Sequence, residues 1–411
     1  NECGVNGLSR IADNSVDLFG SYSEAGESDL SFSLELNNIS PILESFVSDF
    51  DPISTSGYVT GRLHGKEDNL NVTAQISLNE SKYQDANLKR LFSTLSFTLN
   101  KNIPIVANVN MVADSLTYAN IDIEKVELNG TYAENIADIG LFIKQSQART
   151  LSLDTKASIA DIINISPIDL KIQYDQMSFS SDSGSIAIDN GKIAVDNFAL
   201  KSDEQRINID GYYSDKEADI SLSLQQIDLS ILDHFIENYP INNAILDLSL
   251  QVTGDINKPR IDTNLTLSDV EIGELRDLNA ELKLSYNPEL GLLESQLSSQ
   301  IKTQEFLNTK LTLPLEISMG NGIVFNKYNP LTIDLSLKDI DLSVLSPFIQ
   351  EVTDISGTLN AEFHSSGSLS ELSPIGQVVI KSGKIKIPEL GTKYDDINML
   401  LKAEEIRNKQ D

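Results

Sequence analysis

Apolar and polar residues alternate one by one along most of the chain. Ile220, Leu222 and Leu224 alternate with Ser221, Ser223 and Gln225, and Leu246, Leu248 and Leu250 with Asp247, Ser249 and Gln251. Ile333, Leu335 and Leu337 do the same against Asp334, Ser336 and Lys338. A period of two sends successive side chains to opposite sides of an extended backbone, so these runs predict strands with one buried and one wet face. A parallel sheet covered by helices shows continuous apolar runs instead. Turn signals at Asp189-Asn190-Gly191, Asn129-Gly130, Gly320-Asn321-Gly322 and Ser382-Gly383 separate the runs. The predicted class is mostly β, a repetitive antiparallel sheet.

The pattern repeats on a larger scale. Residues 220–236, ISLSLQQIDLSILDHFI, match residues 333–349, IDLSLKDIDLSVLSPFI, nearly position for position. Ile227 and Ile340, Leu232 and Leu345, Phe235 and Phe348, and Gly254 and Gly367 are each 113 residues apart (227 to 340). A third copy begins at residue 33 as SLELNNISPILESFV, with Phe46 and Gly65 each 189 residues before Phe235 and Gly254 (65 to 254). Shared spacing at several positions marks a true internal repeat. The chain therefore reads as one continuous β-repeat segment over 1–411, with approximate units 20–129, 130–210, 211–323 and 324–411. A second device, Gly-x-Tyr before a polar turn, recurs at Gly20, Gly130 and Gly211. It reads as a hairpin tip, with glycine admitting positive φ at the tight bend and tyrosine packing at the strand end.

Within each repeat the apolar period changes from two to about 3.6. Leu229, Leu232, Phe235, Ile236 and Tyr239 share one helical face, as do Leu342, Leu345, Phe348, Ile349 and Val352. Short amphipathic helices are thus expected near 41–50, 230–239 and 343–352, with a partial fourth at 158–164. Ser230 with Asp233 has capping-box spacing, and Ser40-Pro41 offers a cap before a first-turn proline. Phe46, Leu232, Phe235, Leu345 and Phe348 are the residues expected to plug or flank the apolar surface.

Charge narrows the function. The chain of 411 residues has 61 acidic and 31 basic residues, a net charge of −30, which repels nucleic acid and anionic lipid head groups alike. No stretch approaches the roughly 20 apolar residues of a membrane span, and no signal peptide opens the sequence. The abrupt start and end read as those of an internal segment. The single cysteine, Cys3, has no internal disulfide partner and says little about redox compartment.

Catalytic and metal chemistry find no motif. His64, His234 and His364 occupy non-equivalent repeat positions, without metal-ligand spacing to another histidine, cysteine or carboxylate. No Gly-x-Ser-x-Gly, Walker-type or Gly-x-Gly-x-x-Gly pattern follows a strand. The residues read as no enzyme, with no cofactor and no metal. What remains is a long one-faced apolar surface, rich in Leu, Ile, Val and Phe and lacking Trp. Its candidate lining is Ile220, Leu222, Leu224, Leu246, Leu248, Leu250, Ile333, Leu335 and Leu337. Two readings stand: a core filled by its own side chains, or a groove open to guests.

The segment GSIAIDNGKIAVDNFALKSDEQRINIDGYYSDKEADISLSLQQIDLSILDHFI at 184–236 resembles the repeat of the TamB branch of the AsmA-like envelope proteins. So does GQVVIKSGKIKIPELGTKYDDINMLL at 376–401, where a Gly-Lys-Ile strand runs into Pro388, Gly391, Tyr394 and Ile397. The likeness extends over roughly 180–411 and is the same in kind before residue 150. Its motifs are hydrophobic alternation with Gly, Pro and Tyr punctuation, and it carries no catalytic residue. The resemblance implies an elongated, U-shaped β-sheet, a β-taco, in the periplasm of a diderm bacterium, anchored to the inner membrane through a region outside this segment. It implies a trough that conducts phospholipid acyl chains toward the outer membrane, a role in outer-membrane protein assembly, and a BamA-like barrel as partner. A structural or adhesive rod with a filled core, and a chaperone for β-strand clients, remain the alternatives.

Overall fold

The computed structural model describes residues 2–11, 13–23, 26–38, 40, 53–101, 103–119, 121–182, 184–230, 241–272, 275–325, 327–344, 349, 352–368 and 370–404. The protein is mostly β, as the alternation predicts: 26 strands are described, and their printed pairings are all antiparallel. The chain divides into two compact units. The first holds Asn1–Asn190 with Asn197–Ser202, and the second Gly191–Asp196 with Asp203–Asp411.

The first unit is a meander in which each strand pairs with the next. It runs from Glu2–Ile11 and Asn14–Ser23 through Ser28–Leu36, Ser54–Lys66 and Asn69–Tyr83 to Ala86–Asn100. It continues through Ile103–Tyr118, Ile121–Ala133, Ile136–Ser146 and Arg149–Ile159 to Ile163–Tyr174. Two short strands, Met177–Ser181 and Ser185–Asp189, then share the far edge of Ile163–Tyr174. The partial helix expected at 158–164 does not form. Residues 160–162 make a bend between two strands, and the apolar residues around it keep strand alternation.

The second unit repeats the meander from Gln205–Tyr213, Glu217–Asp228 and Ile241–Asp255 to Arg260–Ile272 and Leu275–Asn287. Leu292–Ile301, Gln304–Ser318, Leu331–Asp341, Thr353–Gly367, Ser373–Ile387 and Thr392–Ala403 complete it. The end of Gln304–Ser318 leaves this ladder to pair with the short strand Gly322–Phe325.

Four strands of this unit carry a β-bulge at the place where the apolar spacing lengthens from two residues to three. The slips fall between Leu224 and Ile227, Leu267 and Val270, Leu337 and Ile340, and Ile380 and Gly383. Each contains a residue with positive φ: Gln226 (53°), Asp269 (53°), Asp339 (50°) and Ser382 (50°). The backbone N–H of that residue donates to a side chain of the next strand: Asp247 Oδ1 at 2.9 Å, Asn279 Oδ1 at 3.3 Å, Asn360 Oδ1 at 2.9 Å and Asn398 Oδ1 at 3.0 Å, in the same order. Gln226 and Asp339, like Asp269 and Ser382, are 113 residues apart (226 to 339), so the repeat offset carries the bulge as well as the strands. A bulge inserts one residue and restores the original facing beyond it.

After the strand that opens each repeated stretch comes an Asx turn. Ser40 N donates to Asn38 Oδ1 at 3.1 Å, Ser230 N to Asp228 Oδ1 at 2.9 Å, and Ser343 N to Asp341 Oδ1 at 2.9 Å. The turn acceptor is thus the residue two before the serine, and the first-turn partners of the Ser40 and Ser230 caps lie outside the described residues. Residues 229–230 and 342–344 form short 3₁₀ turns. Residues 349 and 352, inside the third expected helix, are not helical, and the rest of the three expected helices, with Phe46, Leu232, Phe235, Leu345 and Phe348, lies outside the described residues.

The Gly-x-Tyr device sits inside a strand, not at the bend. Gly20 pairs with Leu30 and Gly211 with Ile220, and the turn follows the tyrosine. Both glycines have positive φ, 137° and 118°. A Cβ on Gly211 would lie 1.8 Å from the carbonyl oxygen of Asp219, and one on Gly20 1.9 Å from that of Asp29. Gly130 differs: no positive φ is recorded for it, and the nearest atom to a Cβ there is 3.9 Å away.

Two outcomes follow. Gly211→Ala should destabilise the hairpin of Gln205–Tyr213 and Glu217–Asp228 by about 1–3 kcal/mol, while Gly130→Ala stays within about 0.5 kcal/mol. Amide hydrogen exchange resolved by strand reads both. At the bulge, Asp339→Val should cost about 1–3 kcal/mol because a β-branched residue resists positive φ, whereas Asp339→Gly relieves that strain. Equal exchange in Leu331–Asp341 for the two variants would show that the bulge does not depend on this backbone angle.

Candidate functional site

Residues directly opposite in an antiparallel ladder point to the same face, so the register decides which side chains share a surface. In the second unit one row runs from Ile207 through Leu224, Leu248, Leu265, Leu282, Leu297, Thr309 and Leu335 to Phe363. Eight of these nine positions are apolar and the ninth is a threonine. On one side lies the row Leu222, Leu250, Thr263, Leu284, Ser295, Leu311 and Ile333. On the other, beyond the first bulge, lies Ile227, Leu246, Leu267, Ala280, Ser299, Leu307, Leu337 and Ala361. None of the three rows contains a charged residue.

The nine candidate lining residues all fall on this face. Leu222, Leu224, Leu246, Leu248, Leu250, Ile333, Leu335 and Leu337 occupy the three rows, and Ile220 lies beside them opposite Val252. All nine are half-buried. Full burial concentrates instead at the strand ends: Val270 and Ala244 by the bulges, Tyr286, Leu315 and Leu331 at the opposite ends. At the middle of the strands the leucines keep part of their surface uncovered.

The first unit carries an equivalent row that no single stretch of sequence had singled out. It passes from Val16 through Leu34, Val59, Ile76, Ser93, Met111, Leu128, Leu141 and Leu153 to Leu170. Only Ser93 interrupts it, and Ser93 is buried. Leu265, Leu282, Leu297 and Phe363 of the second unit were likewise missed. The signal was present in every case as simple alternation, but only the register shows that these separate alternations are in phase.

The opposite face holds the charge. In the second unit its central row reads Ser223, Ser249, Asn264, Lys283, Gln296, Lys310, Asp334 and His364. Ion pairs of this kind include Arg62 with Asp29, bidentate at 2.7 and 2.8 Å, and Lys156 with Asp138 at 3.1 Å. The hydrogen bond from Arg62 holds the Asp29 carboxyl below the usual carboxylate range. Some aromatics also sit on this side in the first unit: Tyr58 and Phe92, both exposed, flank Ser77 in one row.

The measurable depressions lie on the polar face as well. One of about 570 Å³ is lined by Gln251, Asn264, Lys283, Gln296 and Lys310, and one of about 530 Å³ by Lys310, Asp334, His364 and Ile375. In the first unit one of about 410 Å³ is lined by Asn129, Asp138, Asp154 and Lys156. Their walls mix amides and charged side chains with Leu284 and Leu311 in the first and Leu335 and Phe363 in the second. His364 Nδ1 lies 2.7 Å from Asp334 Oδ1, and Ser336 lines the same depression. That dyad is exposed, however, and no hydrogen bond joins Ser336 to His364. His64 faces Glu27 at 3.7 Å; His234 lies outside the described residues. Among the described residues no group of three or more His, Cys, Asp and Glu could hold a metal ion, and no helix is long and apolar enough to cross a membrane.

The geometry thus offers a broad, uncharged, partly uncovered leucine surface backed by a polar one. No curated protein and no solved structure matches the chain. A family model does: TamB, N-terminal domain, over residues 9–380. That family is an envelope transport and assembly module without catalytic activity. With most of its length matched, the chain belongs to the TamB N-terminal-domain family.

Proposed function

We propose that the leucine face is a lipid-conducting surface: acyl chains of phospholipid lie against it and move from row to row, between strands, across the periplasm toward the outer membrane. The observation that carries this reading is the uncharged, half-buried row from Ile207 to Phe363. A surface that moves acyl chains has to be apolar without interruption, because a single charge in the path must be solvated at several kcal/mol or excluded. It also has to be unfilled, because side chains packed to interior density leave no room for a guest. The net charge of −30 suits a segment that stands clear of anionic membrane surfaces. Chemistry here is non-covalent throughout, and the chain works without a cofactor. The barrel that receives the lipid, the anchor in the inner membrane and the part played in outer-membrane protein assembly belong to the family's role and are proposed for this chain on that ground.

Photo-crosslinking residues placed at 248 and 335, with controls at 249 and 336, test the facing. The expected result is phospholipid captured at 248 and 335 alone. Capture of peptide at 248 and 335 would favour a chaperone for β-strands, and capture of neighbouring side chains of the same chain a filled rod. Leu248→Arg and Leu335→Arg should leave the strands folded, as read by circular dichroism and melting, yet reduce lipid loading strongly. In a filled core the same changes unfold the unit.

A further inference from the structure

The strand Gln304–Ser318 changes partners along its length. Residues Leu307–Thr312 pair with Leu331–Asp341, while Leu315–Ser318 pair with Gly322–Phe325 in a separate two-stranded ribbon. Pro314 stands at the change, and a proline has no N–H to continue a ladder. The ribbon reaches back over four strands of the main sheet. Leu315 N donates to Gly291 O at 3.0 Å, Ile317 N to the Tyr286 hydroxyl at 3.2 Å, and Met319 N to Ile256 O at 2.7 Å. The Tyr286 hydroxyl in turn donates to Leu315 O at 3.4 Å, and Ser318 Oγ lies 3.3 Å from Asn257 Oδ1.

Tyr286 fixes the side on which the ribbon passes. It is opposite Ile261 and Leu293, in the row next to Leu284 and Leu250, so its ring belongs to the leucine face. The ribbon that its hydroxyl holds therefore crosses that face at the strand ends. Its tip is a tight turn open to its surroundings: Gly320 and Gly322 flank Asn321, Asn321 N donates to Ser318 Oγ at 3.2 Å, and a Cβ on Gly322 would meet nothing within 4 Å. An isolated two-stranded ribbon is marginal in water on its own. Its short strand exposes apolar side chains on both faces, Ile323 at 70% and Val324 at 56%.

We infer that residues 315–325 form a strap that covers one margin of the leucine face and lifts to let an acyl chain on or off, with the Tyr286 hydroxyl as its latch. The inference rests on the lipid-conducting reading and deepens it. Closed, the strap hides Tyr286 beneath it; open, it exposes the margin of the rows, next to the already exposed Ile323 and Val324. Tyr286 is a positioning residue: it touches the strap, not the lipid.

The test uses the whole chain with Cys3→Ser as background, adding Asn257→Cys and Ser318→Cys. A fluorescent phospholipid in zwitterionic vesicles is the probe, and its uptake is followed before and after oxidation. Oxidation should slow uptake by about tenfold or more, with recovery on adding reductant, since a lid that cannot open gates the step behind it. Tyr286→Phe keeps the ring and removes the latch. It should speed exchange by about tenfold or more, the equivalent of the two hydrogen bonds lost, with the melting of the sheet nearly unchanged. Uptake that is equal in oxidised and reduced protein, and equal in Tyr286→Phe, overturns the strap while leaving the groove standing. Absence of uptake in every form overturns the groove, and the strap with it.

Discussion

The structure depends on a geometric constraint of antiparallel pairing: opposed residues share a face, and a slip of one residue sends a whole strand's apolar set to the wrong side. Over nine strands, from Ile207 to Phe363, that phase is kept with one hydroxyl-bearing exception. The bulges keep it. Where Leu-x-Leu spacing would turn the next apolar residue outward, Gln226, Asp269, Asp339 and Ser382 take up the extra residue in a left-handed backbone, and a side chain from the adjacent strand accepts the displaced N–H. Aspartate and its neighbours in chemistry tolerate that backbone better than β-branched residues, which explains the polar residue at each slip.

Phase has an electrostatic consequence. The chain carries a net charge of −30, yet none of the three central rows of the second unit contains an ionisable group. In the central rows the charge stands on the other face, where pairs such as Arg62 with Asp29 are screened by water and contribute little to stability. Alternation therefore separates two chemistries by the thickness of one sheet, a solvated polar side and an uncharged side that only apolar groups can cover.

Much of this was legible in the residues. Period-two runs gave the strands, and the 113-residue offset marked equivalent positions that share bulges and Asx turns. The rest required pairing information. The extra residue in LSLQQID and LSLKDID reads in one dimension as the start of a helical period, and only the register reveals a bulge. Gly-x-Tyr looks like a turn because it precedes one, whereas Gly211 is selected by the carbonyl of Asp219 on the next strand. The row from Val16 to Leu170 draws one residue from each of ten strands, so no local window contains it. The strap is harder still, since Pro314 and Gly320-Asn321-Gly322 are the ordinary vocabulary of a hairpin, and its anchor, Tyr286, is held by contacts with strand Gln304–Ser318 some thirty residues away.

A sheet whose leucine face is only half-buried poses a thermodynamic question that the proposed function answers. Each half-buried leucine leaves apolar area in water at a cost of about 25 cal/mol per Å², and such faces invite association. Ordinary proteins remove the cost with a second layer of their own. Here full burial gathers mainly at the strand ends, with small residues such as Ser93 and Ala361 buried mid-strand, while the mid-strand leucines of the rows keep apolar surface still to be covered. In the proposed reading the acyl chain is that cover. Its binding then stabilises the fold by mass action, in proportion to the logarithm of lipid concentration over its dissociation constant. A filled core would hold more tightly but would exclude the guest. The same incompleteness that makes the sheet less stable alone is what leaves lipid a place to go, and a lateral strap would limit the exposure to the moments when lipid passes.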